Sequence, residues 1–290
     1  MRRRLALLLA PALLAGCAAG MPPASAPAPA PAPTVPPAMQ YLYGSAEAAG
    51  VSEQAFNLLV DAMRAEMARP VHTGAVLAPG ATLTDPKALD CAGKPPAAVF
   101  DVDETVLLNL GLEYHDAVHP EHTSDGTRLD RWAREGADKV LPVPGAKDAL
   151  AALRSMGIAV LFNTNRGNDS AAATEDALVR AGLGPAKHLE QLWLKGDVDG
   201  QPGKDGRRWA ISDKYCVIAL GGDQLGDFTD LFTGTAGERR AAAMTPAVSS
   251  LFGRRWFILP NPVYGSGLKG GFDDIFPPGM RWEDQHRGGQ

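Results

Sequence analysis

The sequence predicts an α/β fold, a doubly wound parallel sheet flanked by helices with a small, mainly helical cap inserted after the first core strand. Three observations carry that expectation. Short apolar runs at Ala97-Ala98-Val99-Phe100, Ile158-Ala159-Val160-Leu161-Phe162 and Val217-Ile218-Ala219-Leu220 each stop abruptly at polar residues, as buried parallel strands do when they present functional groups at their carboxyl ends. Helix-length segments lie between them: Ala146 to Met156, with Ala149, Leu150 and Leu153 on one face, and Ser170 to Ala181, with Ala173, Ala177 and Leu178. Strand and helix in alternation imply crossover connections and helices on both faces of the sheet. Residues 107–144, rich in His, Asp, Glu, Tyr and Trp, fall between the first two runs and read as a cap over the strand ends, where ligands of open α/β sheets bind.

The chain opens with Met1-Arg2-Arg3-Arg4 and an apolar run from Leu5 to Leu14, a charged segment before a hydrophobic one too short for a permanent membrane span. It reads as an export signal over residues 1–16. Leu14-Ala15-Gly16-Cys17 resembles a bacterial lipobox, in which Cys17 is acylated and becomes the first residue, tying the protein to a membrane without a transmembrane helix. Ala18 takes the place where aspartate signals inner-membrane retention, so the lipoprotein resemblance points to the outer membrane. Residues 17–38 are Pro- and Ala-rich, uncharged, and form a semi-rigid tether. The folded domain occupies 39–290.

The full chain of 290 residues, 45% hydrophobic, suffices for one substantial core. Lys+Arg 28 against Asp+Glu 33 gives a net charge of -5, and losing three arginines with the signal makes the exported part more acidic. A duplex nucleic acid is therefore excluded as the main partner. Between Ser45 and Met67 the residues Val51, Ala55, Leu58, Leu59, Ala62, Met63 and Met67 recur at helical spacing, with Ser52 as the expected N-cap. Cys91 and Cys216 would sit in an oxidising compartment; spacing leaves their pairing open, and the apolar surroundings of Cys216 favour a buried, unpaired thiol.

The chemistry is concentrated at the strand ends. Asp101 and Asp103, one residue apart, share a face if the strand continues and are then close enough to share a hard divalent cation, while a turn after Asp101 would swing Asp103 toward a leaving group. An isolated pair of this kind is a common solvated turn; here it ends one of three similar strands.

Phe100-Asp101-Val102-Asp103-Glu104-Thr105, Asn163-Thr164-Asn165-Arg166 and Gly222-Asp223-Gln224-Leu225-Gly226-Asp227, in that order, resemble the motifs of the haloacid dehalogenase superfamily of phosphohydrolases. With Leu259-Pro260-Asn261-Pro262-Val263-Tyr264-Gly265 and the lipobox, the set is similar to the class C acid phosphatases, which include lipoprotein e 5′-nucleotidases. The resemblance runs from about Tyr41 to about Asp274. It implies Asp101 as a nucleophile forming an aspartyl-phosphate and Asp103 as general acid, then base. It places Mg2+ among Asp101, the Asp103 backbone carbonyl and Asp223, with Asp227 in support. Thr164 and Asn165 would hold the phosphoryl group together with a lysine, Lys204 being preferred to Lys195. Gln224 departs from a frequent asparagine and Gly267 from a frequent aromatic.

Tyr264 and Trp132 are candidates to stack on a nucleobase or other aromatic leaving group, against the alternative of simple packing. His115, His119 and His122 lie in the cap and read as surface or pocket-rim residues. The expected function is a membrane-anchored, Mg2+-dependent acid phosphatase acting on small phosphomonoesters, nucleoside 5′-monophosphates among them. The rival readings are a surface binding lipoprotein, for haem or another ligand, with an idle phosphatase site, and a phosphotransferase in which an alcohol replaces water. Homo-oligomerisation is left open.

Overall fold

The computed structural model describes residues 34–284 apart from positions 71 and 92; the export signal, Cys17 and most of the tether lie outside the described residues. Five strands, β1 (Pro96–Phe100), β4 (Ala159–Gly167), β5 (Leu192–Lys195), β6 (Cys216–Gly222) and β7 (Trp256–Ile258), form one sheet in the order β5-β4-β1-β6-β7. Every neighbouring pair in it is parallel. A separate antiparallel pair, β2 (Leu107–Leu108) and β3 (Leu141–Pro142), brackets the cap. The chain begins at the central β1, steps outward to β4 and β5, and returns across β1 to β6 and β7. The order reverses at β1, so the crevice of this doubly wound sheet opens at the carboxyl ends of β4, β1 and β6.

Period-two alternation divides β1 between two cores. Ala97 and Val99 join Leu161, Val217 and Trp256 on one face, while Ala98 and Phe100 join Phe162, Ile218 and Leu59 on the other, the pattern of a strand covered on both sides. After a single turn α1 (Pro37–Met39), the long helix α2 (Ala46–Met67) covers the second face beside α5 (Ala146–Ser155). Phe56, Leu59 and Met63 of α2 are each 2% exposed or less, and such burial stabilises by about 2 kcal/mol per side chain. Two details differ from the sequence reading. The N-cap is Ser45, whose Oγ accepts the Ala48 N–H at 3.1 Å, whereas Ser52 lies inside the helix and donates to the Ala48 carbonyl. The apolar face centres on Phe56, which leaves Val51 and Leu58 exposed.

Helices α6 (Ala171–Arg180) and α7 (Asp205–Lys214) follow β4 and β5. The edge strand β5 has only three consecutive apolar residues, too short a run for periodicity to separate strand from helix or loop, and β7 lies in a four-residue apolar run, 256–259, that the sequence reading did not single out as a strand. Cys91 and Cys216 form a disulfide across 125 residues of sequence, which corrects the unpaired reading of Cys216. Cys216 opens β6 opposite Pro96 at the start of β1, and that pairing brings Cys91, just upstream of β1, beside it. Between β2 and β3 the cap consists of α3 (Leu110–Val118), a 3-10 turn (Pro120–Ser124) and α4 (Thr127–Glu135). Among the described residues no helix is long and apolar enough to cross a membrane.

Candidate active site

Strand β1 ends at Phe100, and the chain then turns sharply. Both Val106 and Leu107 donate their N–H groups to the Val102 carbonyl, and Glu104 adopts a left-handed φ of 53°, a conformation costly for a side-chain-bearing residue and held here by its surroundings. Asp101, whose N–H still donates to Gly221 of β6 at 2.9 Å, and Asp103 thereby diverge. The two carboxylates share no hydrogen-bond partner: Asp101 meets Lys204, Asp103 meets Arg166 and Asn109.

Asp101 belongs to a buried carboxylate cluster. Oxygen atoms of Asp101, Asp223 and Asp227 lie within 4.8 Å of one another. Lys204, the N-cap residue of α7 and 3% exposed, donates from Nζ to Asp101 and, at 2.7 Å, to Asp227. Asp223 accepts from Thr105 Oγ1 at 2.8 Å and from Gln224 Nε2 and Asn261 Nδ2, each at 2.9 Å. The glycines at the end of β6 make room for this crowding: a Cβ on Gly221 would come within 2.5 Å of the Phe100 ring, and one on Gly222 within 2.2 Å of the Asp227 Cβ.

Three carboxylates face one ammonium. Burial pushes Asp101 well above the usual carboxylate range, Lys204 opposing and Asp227, Asp223 and Asp103 adding to it. Burial and then the Asp227 charge raise Asp223 to about 6. An all-oxygen donor set with this excess of negative charge suits a hard divalent cation, whose charge favours the ionised form of each ligand.

Asp103 lines the same cavity but takes different partners. It accepts Arg166 Nη2 at 2.7 Å, Arg166 Nε at 3.1 Å and Asn109 Nδ2 at 2.8 Å. Burial raises its proton affinity, but the Arg166 charge and hydrogen bonds outweigh burial and hold it below the ordinary value. Asn109 is the hub of a buried network that the sequence reading missed. Its Oδ1 accepts from Trp132 Nε1 at 3.0 Å and Arg166 Nη2 at 3.1 Å, while its Nδ2 also donates to Glu104 at 3.1 Å. Glu104 in turn accepts the hydroxyls of Tyr43, at 3.1 Å, and Tyr264. Burial and the nearby Asp103 charge raise Glu104 to about 8.

The remaining sequence candidates fall around these two groups. Thr164 is fully buried, its Oγ1 accepting the Arg166 N–H at 3.1 Å. Asn165 is exposed to the cavity, and its Oδ1 accepts from Arg207 Nη2 at 3.0 Å. Lys195 ends β5 on the cavity wall, whereas Lys204 alone of the two touches Asp101. The cavity measures about 730 Å³; Asp101, Asp103, Lys204 and Asp223 form its floor, and Tyr264 and cap residues including Leu112, Leu129 and Trp132 form its walls. The Trp132 ring also packs onto Gly111 and Gly136, where a Cβ would collide with it.

Residues 41–267 match the model of a family described as HAD superfamily, subfamily IIIB (Acid phosphatase). The chain belongs to that family and is an acid phosphatase-like hydrolase, as its ordered motifs imply. Two solved structures of the class C acid phosphatase from Bacillus anthracis are similar to it, one with tungstate bound. Each is 25% identical and covers 79% of this chain and 84% of its own, with TM-scores of 0.65 and 0.63. No curated protein matches.

Proposed function

We propose that this protein is a membrane-anchored acid phosphatase that hydrolyses small phosphomonoesters, nucleoside 5′-monophosphates among them, through an aspartyl-phosphate on Asp101. The observation that carries the reading is the Asp101 carboxylate, held by Lys204 against Asp223 and Asp227 on the floor of an open cavity. Mg2+ is the cation that fits those carboxylates, and it would neutralise charge between the nucleophile and the phosphoryl oxygens. Tungstate on a solved relative, a tetrahedral oxyanion like phosphate, is consistent with the substrate class.

Asp101 attacks phosphorus and the bond to the ester oxygen breaks; the departing oxygen takes its proton from Asp103. Water then attacks the aspartyl-phosphate and gives a proton to Asp103, which releases phosphate and restores both carboxyls. Asp103 acts first as a proton donor, so the reaction favours acidic pH. An incoming phosphoryl dianion offers Arg166 a second anion, which loosens the grip that holds Asp103 ionised. Thr164, Asn165 and Lys204 hold the transferred group, and Trp132 and Tyr264 present aromatic surface to the leaving group. Acylation of Cys17, with residues 17–38 as tether, places the domain at the outer membrane.

Phosphate release from p-nitrophenyl phosphate and a panel of nucleoside monophosphates at mildly acidic pH, with Mg2+ and with chelator, tests this. Metal-dependent release, absent in Asp101→Asn, supports the reading, and the panel ranks nucleotides against generic esters. A folded, Mg2+-loaded protein that releases nothing from any ester would sink it in favour of a binding lipoprotein.

A further inference from the structure

The cap carries a second cluster, separate from the carboxylate floor and different in chemistry. Helix α3 ends at Val118, and Pro120, which has no N–H to continue it, turns the chain into the 3-10 segment Pro120–Ser124. His122 N–H donates to the His119 carbonyl at 2.9 Å, and the turn folds His122 back over the helix end. The rings of His115, His119 and His122 gather with centroids 5.0 to 5.4 Å apart. Glu121 Oε1 stands 3.4 Å from His119 Nδ1 and 3.5 Å from His122 Nε2.

These separations are long for hydrogen bonds but match another geometry. Ligands about 2.0–2.1 Å from a tetrahedral zinc ion stand about 3.3–3.4 Å from each other. His119, Glu121 and His122 offer one atom each, all within 4.8 Å of one another. The second nitrogen of His122, Nδ1, lies 3.3 Å from His115 Nε2. A metal-bound imidazole is fixed by such a bond from its free ring nitrogen, which sets its tautomer and orientation.

We propose that His119, Glu121 and His122 form a site for a divalent transition cation of the zinc class, with water as the fourth ligand and His115 as the positioning residue for His122. Two imidazoles and a carboxylate suit zinc, unlike the all-oxygen floor that suits magnesium. The ligands are exposed, His119 by 47% and His122 by 52%, so the ion exchanges with solution. Bound, it fastens the Pro120–Ser124 turn to the end of α3. That turn and the loop after it carry Thr123 and Gly126 on the cavity wall, so the ion stiffens one side of the cavity mouth.

The test is a Co2+ titration of the full chain in excess Mg2+, which keeps the oxygen-rich floor saturated. One equivalent of Co2+ binds with the intense visible absorption of a tetrahedral, nitrogen-ligated ion, and one equivalent of Zn2+ displaces it. The His119→Ala, His122→Ala double variant loses that absorption and weakens binding by about 100-fold or more, while its thermal melt without added transition metal matches the parent's. His115→Ala keeps the stoichiometry and weakens binding by about 10- to 100-fold. Unchanged Co2+ binding in the double variant, loss of the signal in Asp223→Asn, or no tetrahedral spectrum at all overturns the site. None of these readouts depends on phosphatase activity.

Discussion

The floor of the cavity and its cap are built on opposite terms. On the floor, Asp101 and Asp223 sit at the ends of central strands, Asp227 in the 3-10 turn after β6 and Lys204 at the start of α7, all 9% exposed or less. Each is fixed by charged or polar partners. In the cap, Tyr114 is 71% and Leu129 47% exposed, and much of the polar contact is surface ion pairing, such as Arg131 with Asp125. Surface pairs of that kind stabilise by at most about 1 kcal/mol, whereas unpairing a buried charge costs several. Substitutions that unpair a floor charge should therefore act on chemistry and folding together, and those in the cap should act on one without the other.

The largest effect is expected from Asp101→Asn. It preserves shape but removes the oxygen that attacks in the proposed mechanism, so kcat/KM for p-nitrophenyl phosphate falls by about 10⁴-fold or more. Calorimetry should show a melting temperature near or above the parent's, because one negative charge leaves a crowded cluster. Lys204→Met sharpens the comparison by striking both properties. It strands Asp101 and Asp227 without their shared cation, at a cost of about 3–5 kcal/mol read by urea denaturation, and lowers kcat by about 10²- to 10³-fold. A Lys204→Met protein with parental stability would show that the floor is not held together by this charge pairing.

The two regions were also unequally legible in the sequence. Asp101, Thr164 and Asp223 stand out because each follows an apolar run that reads unambiguously as a buried strand, and strand ends converge by topology. Asn109, Arg166 and Glu104 carry no such sign, although Arg166 lies directly beside Thr164 and Asn165. Their roles depend on contacts across long separations, such as Tyr43 and Tyr264 meeting on Glu104 from 61 and 160 residues away. Asn261 reaches Asp223 across 38 residues. Local pattern cannot encode these meetings. The same limit explains the N-cap: Ser45 and Ser52 are chemically equivalent candidates, and packing of Phe56 into the core decides how the helix is turned.

A buried cap carboxylate outside the proposed chemistry sharpens the contrast further. Glu113, on the inner side of α3, is raised to about 7 by burial and by the Asp116 charge, with Arg128 opposing. Its folded value lies above its unfolded one, so the stability it contributes is full at or below about pH 4.5 and is lost as pH rises through about 7. Glu113→Gln removes that slope. The variant should match the parent's urea midpoint at pH 4.5 and exceed it at pH 8, by up to about 3 kcal/mol in unfolding free energy. A parent whose stability rises between pH 5 and 8 more steeply than the variant's would reverse the assignment.

The smallest effect is expected where cap and floor join, at Trp132. Its Nε1–H donates to Asn109 Oδ1 at 3.0 Å, and Asn109 in turn donates to Asp103 at 2.8 Å. Trp132→Phe keeps an aromatic ring on the cavity wall but deletes that donor. Asn109 Oδ1 is not orphaned, since Arg166 Nη2 still donates to it at 3.1 Å, so the loss is one net hydrogen bond, about 1 kcal/mol or roughly fivefold. If Trp132 acts by positioning Asp103 through Asn109, the fivefold falls on kcat and KM for nucleotides is unchanged. Trp132→Ala removes the ring as well, and KM should then rise for nucleoside monophosphates more than for small aliphatic esters. Equal changes in KM for both classes would assign the ring to packing against Gly111 and Gly136 and leave the leaving group to Tyr264.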